Sequence, residues 1–146
     1  MFHLYLQIIS KMSAAFNWMI VRNNSSFLMK RGAHQFSREA TNMKGVNSFR
    51  FNGLIRDRSV AIQPAKTGKG VVVSTKHYKG QRRPNKRKFK TTINKDGRHT
   101  LKAVGNILRS GRFEGNTHMA SLRKASAILR SQKPVVVRQR TRAKKN

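Results

Sequence analysis

Positive charge is the feature that most limits what this chain can fold into. Of its 146 residues, 33 are Lys or Arg and only four are acidic, so the formal net charge is +29. A compact body that carries such an excess alone is destabilised by self-repulsion. We therefore expect the working state to include a polyanion. A phosphate backbone is the usual one, because Lys and Arg release its condensed counterions on binding.

The scarcity of acids and the absence of cysteine narrow the chemistry. The four acids are spread from position 39 to position 114, which argues against a catalytic carboxylate pair or a carboxylate Mg²⁺ site. Disulfides and thiolate metal sites are excluded because there is no Cys. The histidines never fall three or four residues apart, which argues against a histidine metal or catalytic site. Because no candidate site of any kind is visible, we predict no metal, no cofactor, no small-molecule substrate and no enzymatic activity. No apolar run approaches the roughly 20 residues that span a bilayer, so no membrane partner is expected.

The first ten residues, MFHLYLQIIS, are apolar and uncharged. A secretory signal places a basic region before such a run, whereas Lys11 follows it here. A mitochondrial presequence is rich in Arg, whereas the first Arg of this chain is Arg22. We therefore interpret Met12 as the actual or equivalent start, and residues 1–11 as an N-terminal extension whose translation is left open.

Hydrophobic periodicity and turn residues predict an α+β fold. Ser13 is a candidate N-cap, the Pro/Gly-containing loop 64–69 predicts a hairpin between β-branched segments, and Gly111 and Pro134 are candidate helix stops. The predicted elements are helices over 13–22, Gly97–Ser110 and 117–132, and strands over 26–30, 34–37, 47–55, 60–63, 70–75 and 91–93. We expect a small antiparallel sheet with the two C-terminal amphipathic helices on one face.

Each C-terminal helix has a predicted apolar face. At 100° per residue, Leu101, Val104, Ile107 and Leu108 share one arc of the first helix. In the second helix, the predicted face comprises Met119, Leu122, Ala125, Ser126 and Leu129, with Arg123 and Arg130 beside it. These faces are the predicted covering of the sheet.

Two basic runs carry the strongest functional signal. Residues 76–90 contain eight Lys or Arg and no acid, and residues 135–146 contain five and no acid. Such blocks do not pack a core alone, so we expect a basic extended loop and a basic tail that a partner orders. The domain prediction is thus an extension over 1–11, a globular domain over 12–134 that includes the loop, and a C-terminal tail over 135–146.

Runs of Lys and Arg without neighbouring acidic residues predict contact with RNA phosphates, because an ordinary solvent-exposed surface mixes positive and negative charges. The predicted RNA-binding residues are Arg22, Lys30, Arg31, Arg50, Arg56, Arg58, Lys69, Lys76, Lys79, Arg82, Arg83, Lys86, Arg87, Lys88, Lys90, Arg98, Arg123, Lys124, Arg130, Lys133, Arg138, Arg140, Arg142, Lys144 and Lys145.

Two other patterns have structural interpretations. Gly68-Lys69-Gly70 lacks the spacing of a phosphate loop, because Gln63 stands where its first Gly belongs, so we predict a hairpin turn with an exposed basic tip. The alternating Phe27, Phe36, Phe49 and Phe51 predict core packing, and an exposed platform that stacks RNA bases is the alternative.

Several segments resemble a known family. They are NWMIVRNNSSFLMKR (17–31), NSFRFNGLI (47–55), GKGVVV (68–73), TTINK (91–95) and MASLRKASAILRSQKPVVVRQRTR (119–142). They are similar to the L-twenty-eight-e family of eukaryotic large-subunit (60S) ribosomal proteins, and the resemblance runs from about Met12 to the C-terminus. It implies a structural, non-catalytic constituent of the cytoplasmic ribosome that passes through the nucleolus. The implied partners are large-subunit ribosomal RNA and neighbouring ribosomal proteins.

The sequence alone leaves three functional classes as alternatives to a ribosomal protein. A chromatin protein would also be basic, but would prefer duplex DNA over structured RNA. A membrane-active protein would need a basic amphipathic helix with a wide apolar face, and the helix over 117–132 is rich in Ala and Ser there. A nucleolar ribosome-assembly factor has an N-terminal region related to the same family, so an assembly role is the nearest neighbour of the ribosomal one.

Overall fold

The computed structural model describes residues 13–77 and 83–135. Its elements in chain order are α1 (Ala14–Val21), β1 (Leu28–Arg31), β2 (His34–Ser37), β3 (Ser59–Pro64), β4 (Val71–Lys76), α2 (Pro84–Arg87), β5 (Lys88–Ile93), α3 (Gly97–Ser110) and α4 (Gly115–Ser131). The predicted α+β class is confirmed.

The central element is a three-stranded antiparallel sheet in the order β3-β4-β5. Val60 lies opposite Thr75 in one pair of strands, and Val71 lies opposite Ile93 in the other. The predicted hairpin between β3 and β4 is confirmed, and its loop contains Gly68 and Gly70, both at positive φ (77° and 88°). Gly can adopt this conformation without the steric cost that a Cβ would add.

The core lies between one face of this sheet and the two C-terminal helices. Helix α4 packs against β3 and β4, and α3 packs against α4. The buried cluster comprises Val60, Ile62, Val71, Val73, Ile93, Val104, Leu108 and Ala125. Burial of these apolar side chains, worth about 1.5–3 kcal/mol for each Val, Leu or Ile, is the main force that holds helices to sheet. The predicted face of α3 is confirmed, with Val104 and Leu108 fully buried.

The N-terminal part forms a separate two-stranded antiparallel ribbon, β1–β2, preceded by α1. Ser13 caps α1 as predicted, because its hydroxyl accepts a hydrogen bond from the Phe16 amide at 3.2 Å. The ribbon's loop has two residues, 32–33, where three were predicted, and Gly32 takes a φ of 55° there. None of the residues of α1 is buried.

The predicted strand over 47–55 is wrong, because this segment consists of turns and bends. The amides of Phe51 and Asn52 both donate to the Ser48 carbonyl, and the Asn52 side-chain oxygen accepts from the Leu54 amide at 2.9 Å. An Asn that bonds to the backbone just ahead of it favours a turn over an extended ladder. These local hydrogen bonds therefore stabilise a turn, although the alternation of aromatic residues favoured a strand.

The predicted face of α4 is partly wrong. Ala120, Ser121 and Ala125 are the buried residues of this helix, whereas Ser126 is exposed and Met119 is 54% exposed. The helix begins at Gly115, two residues before the predicted start. Its buried side chains are small, while Leu122 and Leu129 of the predicted face are partly buried and pack against the core. Close approach of α4 to β3 favours small side chains at the contact.

The basic run 76–90 is more regular than predicted within its described residues. Lys76 ends β4, Pro84–Arg87 form a helical turn, and Lys88 begins β5. The strand forms because β4 offers unpaired backbone groups, and Lys76 lies opposite Lys88 in the ladder. The extended-loop prediction is therefore wrong for residues 84–90. Residues 78–82, the tail from 136 onward, and residues 1–12, which include the predicted extension over 1–11, lie outside the described residues.

Candidate nucleic-acid interface

A row of cations follows the exposed edge of the three-stranded sheet. Among the described strands, β5 pairs with β4 alone, and its Lys88 and Lys90 project from the sheet face that Ile93 does not share. Arg83 and Lys86, in and beside the preceding helical turn, are also exposed. Edge lysines also discourage pairing with another chain, so this row has a structural use whatever it contacts.

Three lysines line one cleft of about 400 Å³ between the β3–β4 loop and the end of α4. Lys69 lies on the loop, Lys95 precedes α3, and Lys133 follows α4. All three are exposed, and we call this arrangement the lysine cleft. Asp96 also lines it but pairs with His99, at 2.5 Å between Oδ1 and Nδ1. The cleft concentrates positive charge at a position where an anionic group can enter.

A third group of cations binds its own chain. Arg50 donates to the Asn116 side-chain oxygen, and Arg56 forms an ion pair with Glu114. Arg58 donates to the carbonyls of Gly111 and Arg112, at 3.3 and 3.4 Å. These contacts hold the 50–58 segment against the α3–α4 connection, so part of the hydrogen-bonding capacity of these arginines is used internally.

Two of the predicted lysines are half-buried. Burial, and next the nearby Arg87, lower the pKa of Lys76, whose ammonium donates to the Arg56 carbonyl at 3.2 Å. Burial likewise lowers the pKa of Lys124, whose ammonium donates to the Asn42 carbonyl at 3.4 Å. Desolvation disfavours the charged form of an amine, which explains both directions. Both side chains have structural partners within the fold.

The four acids are engaged with groups of the fold itself. Glu39 is buried, where desolvation raises its pKa, and it accepts hydrogen bonds from the Gly53 amide and the Thr41 hydroxyl. Glu114 and Asp96 are paired as described above, and Asp57 lies close enough to Lys76 to favour its charged form. These engagements leave little negative charge to neutralise the exposed cations of the described residues.

The predicted binding residues fall into three groups. The exposed ones are Arg22, Lys30, Arg31, Arg50, Arg58, Lys69, Arg83, Lys86, Lys88, Lys90, Arg98, Arg123, Arg130 and Lys133. Those that are partly buried are Arg56, Lys76, Arg87 and Lys124. Lys79, Arg82, Arg138, Arg140, Arg142, Lys144 and Lys145 lie outside the described residues.

Sequence reasoning missed some exposed cations. They are Arg38, Lys44, Lys66, Lys95, Lys102, Arg109 and Arg112. Most are isolated in the sequence, so no charge run identified them. Lys95 shows the consequence, because only the fold brings it beside Lys69 and Lys133.

The prediction that the aromatic residues pack in the core is wrong for three of the four. Phe27, Phe36 and Phe49 are 39%, 40% and 40% exposed, and the core cluster contains no Phe among its buried members. Phe49 contacts the Trp18 ring edge to face at 6.1 Å, while Lys44 lies over the Phe51 ring at 5.0 Å. Cations therefore lie close to aromatic rings on this part of the surface.

Other kinds of site find little support in the described part of the chain. Within residues 13–77 and 83–135, no group of three or more His, Asp or Glu side chains is placed to hold a metal ion. Over the same residues, no helix has both the length and the apolar character needed to cross a membrane. A cleft of about 620 Å³ beside α1 is lined by Arg56, Arg58 and Arg112 together with Asp57 and Glu114, so its charges are mixed.

The fold and its surface define a strongly basic α+β protein, and comparison with known proteins identifies its family. The profile of the ribosomal L28e protein family matches residues 16–131. A large ribosomal subunit protein eL28 from Schizosaccharomyces pombe is 41% identical over 123 residues, which cover 80% of this chain and 90% of that protein. Another, from Caenorhabditis elegans, is 39% identical over 123 residues, covering 83% and 91%. The chain belongs to the ribosomal L28e protein family, and the resemblance predicted from its sequence is confirmed.

Proposed function

We propose that this protein is a structural constituent of the cytoplasmic large ribosomal subunit, where it binds and stabilises ribosomal RNA without catalysing a reaction. The names of its relatives, which are large ribosomal subunit proteins, support this role. Membership of the family supports it independently of any single relative. Assembly into the subunit would take the protein through the nucleolus.

The observation that carries the RNA-binding part is the imbalance of surface charge. Each of the four acids is engaged within the fold, whereas exposed cations occur on both sheets, both C-terminal helices and the loops between them. The net charge of +29, from which these acids are already subtracted, therefore leaves a large excess of cations without an acidic partner. Counterion release from a phosphate backbone is the strongest source of affinity available to such a surface.

The geometry divides the cations by task. The β5 edge and the lysine cleft offer ammonium groups that neutralise phosphate as point charges. Arg123 and Arg130, seven residues apart on α4, are exposed on one side of the helix, where guanidinium groups can bind phosphates in a bidentate manner. Arg50, Arg56 and Arg58 instead stabilise the surface that carries the others. Phosphate contacts fix the register of the protein on RNA, while shape and 2′-hydroxyl contacts fix its place.

Contact with neighbouring large-subunit proteins is the second part of the proposal. Phe16, Met19 and Ile20 of α1 are 54%, 66% and 54% exposed. Exposed apolar side chains clustered on one short helix are typical of a protein–protein contact. A ribosomal neighbour would bury them on assembly.

Binding of the full chain to large-subunit ribosomal RNA, measured across a range of salt concentrations, tests the proposal. We expect affinity to fall steeply, with each neutralised phosphate adding roughly 0.7 to 0.9 to the log–log slope. Structured RNA should also compete better than duplex DNA of equal length. A slope near zero would contradict the phosphate mechanism, and a preference for duplex DNA would favour a chromatin protein.

A further inference from the structure

One face of the β1–β2 ribbon combines aromatic rings with cations. Met29 lies opposite Phe36, and Arg31 lies opposite His34. The Arg38 amide donates to the Phe27 carbonyl at 2.9 Å, which extends the same register by one pair. Because side chains alternate along a strand, Met29, Arg31, His34 and Phe36 project from one face of the ribbon, and Phe27 and Arg38 adjoin it at the positions that flank the strands. We call it the ribbon face: Phe27, Met29, Arg31, His34, Phe36 and Arg38.

The ribbon face is open to solvent. Phe27 and Phe36 are 39% and 40% exposed, and Arg31, His34 and Arg38 are exposed around them. Val46 forms an antiparallel bridge with Phe36 on the other side of β2 and is itself 40% exposed. The ribbon belongs to neither the three-stranded sheet nor its core. The core of the fold therefore does not account for its exposed apolar side chains.

The charge around these rings has one sign. Residues 27–38 contain no acid, and the next residue, Glu39, is buried against the Gly53 amide and the Thr41 hydroxyl. The His34 ring lies 6.3 Å from the Phe36 ring, so a third aromatic group adjoins the pair. A surface with flat rings between guanidinium groups matches a ligand that has flat rings between phosphates.

We propose that the ribbon face binds unpaired RNA nucleotides, with bases stacked on Phe27 and Phe36 and the flanking phosphates held by Arg31 and Arg38. The inference rests on the proposed RNA-binding function and specifies which form of RNA this face takes. A duplex keeps its base faces inside the helix, so it cannot use the rings. Stacking tolerates any base, because every base presents a π-face.

A protein partner fits this face less well. It would have to be both apolar and acidic to match the cations that surround Phe27 and Phe36. RNA supplies both the flat surface and the negative charge in one repeating unit. Charge complementarity therefore favours RNA as the occupant.

The test compares two RNAs of equal phosphate number, one single-stranded and one fully paired, binding to the full chain. We expect the double variant Phe27→Leu, Phe36→Leu to bind the single strand about tenfold more weakly and the duplex unchanged. Its slope of log affinity against log salt should stay the same, since no charge is removed. Arg31→Gln should instead lower the slope by roughly 0.7.

Two controls separate stacking from folding. Phe89→Leu removes a ring that is 55% exposed on β5, away from the ribbon, and should leave single-strand binding unchanged. Phe36→Tyr keeps a ring that stacks and should retain binding. A loss caused by unfolding would instead reduce binding of the duplex as well as the single strand.

The outcomes are distinguishable. If the wild-type chain binds neither RNA, the proposed function itself fails. If it binds both with a steep salt slope and the Phe27/Phe36 variant binds the single strand as tightly as the wild type does, only the ribbon-face inference is overturned. That inference is also overturned if the variant keeps its RNA affinity but loses a large-subunit protein, because the face is then a protein-docking surface.

Discussion

The side-chain amide of Gln132 pairs with the backbone of Gly70 through two hydrogen bonds. The Gly70 amide donates to Gln132 Oε1 at 2.9 Å, and Gln132 Nε2 donates to the Gly70 carbonyl at 2.9 Å. These two residues are 62 positions apart in the chain. The pair fastens the β3–β4 loop to the end of α4, and so holds Lys69 and Lys133 on the same cleft.

Substitution of Gly70 tests how much this junction contributes to stability. Gly70 has a φ of 88°, and a Cβ there would collide with the Ile93 carbonyl and the Asn94 side chain. We expect Gly70→Ala to lower the free energy of unfolding by about 2–4 kcal/mol, measured by chemical denaturation. Gly68→Ala is the matched control, because Gly68 also has a positive φ but no atom lies within 4 Å of its Cβ position. Equal losses in the two variants would show that the close contact has no effect.

The contribution of the lysine cleft to RNA binding can be tested by removing two lysines from the cleft and, in a separate variant, two lysines from elsewhere on the surface. We expect the double variant Lys69→Gln, Lys133→Gln to lower the salt slope of ribosomal RNA binding by roughly 1.4 to 1.8, as two lost phosphate contacts predict. The control, Lys66→Gln with Lys102→Gln, removes two exposed lysines that do not line the cleft and should change the slope less. If both variants change the slope equally, total charge rather than the cleft determines affinity.

The buried Glu39 predicts a pH dependence of stability. Burial raises the pKa of its carboxyl in the fold, against smaller opposing effects of the Gly53 amide and Lys76. The native state therefore holds this proton to a higher pH than the unfolded state does. The resulting stabilisation is complete below the ordinary carboxyl pKa and is lost as pH rises through the folded pKa.

The variant Glu39→Gln has a neutral side chain at every pH, so it should not lose stability as pH rises through the folded pKa of the Glu39 carboxyl. Unfolding free energies of the variant and the wild type, measured from about pH 4 to about pH 7, should show the variant gaining relative to the wild type as pH rises. A difference that is independent of pH would mean that the Glu39 carboxyl has the same pKa in both states.

The contact between Trp18 and Phe49 links α1 to the segment that follows the ribbon. Trp18 is the single Trp of the chain, and its ring meets Phe49 edge to face at 6.1 Å. Such pairs contribute about 0.5–1.5 kcal/mol. We expect Phe49→Ala to expose Trp18, which shifts its fluorescence to longer wavelength and increases quenching by iodide. Unchanged emission would show that α1 is held by other contacts, such as the Asn47 side chain on the Arg22 carbonyl.

Local signals in the sequence predicted much of the fold. The β3–β4 hairpin followed from β-branched residues around a Pro/Gly loop, and α3 followed from a clear apolar arc at Leu101, Val104 and Leu108. In both cases the hydrophobic periodicity and the turn or helix-terminating residues predict the same element. The signal was weaker in α4, where small residues such as Ala120 and Ser121 form the buried face and carry little hydrophobic pattern.

Tertiary relationships account for what could not be predicted. The alternation of Phe49 and Phe51 is strand-like, but Asn52 turns the backbone there, and Gly53 packs where its Cβ would meet Thr41 and Glu39. The lysine cleft joins residues from three distant parts of the chain, so no run of charge could show it. The engagement of Arg56 with Glu114 is likewise invisible in the charge pattern alone.

The most direct test of the central claim is fractionation of cell extract on a sucrose gradient after a high-salt wash, with mass spectrometry of each peak. We expect this chain to stay with large subunits and polysomes at a stoichiometry near that of other ribosomal proteins, and its N-terminal peptide would identify the start site. Recovery only in pre-ribosomal fractions, or release by salt into the top of the gradient, would contradict a structural role and favour an assembly factor or a loose RNA-binding protein.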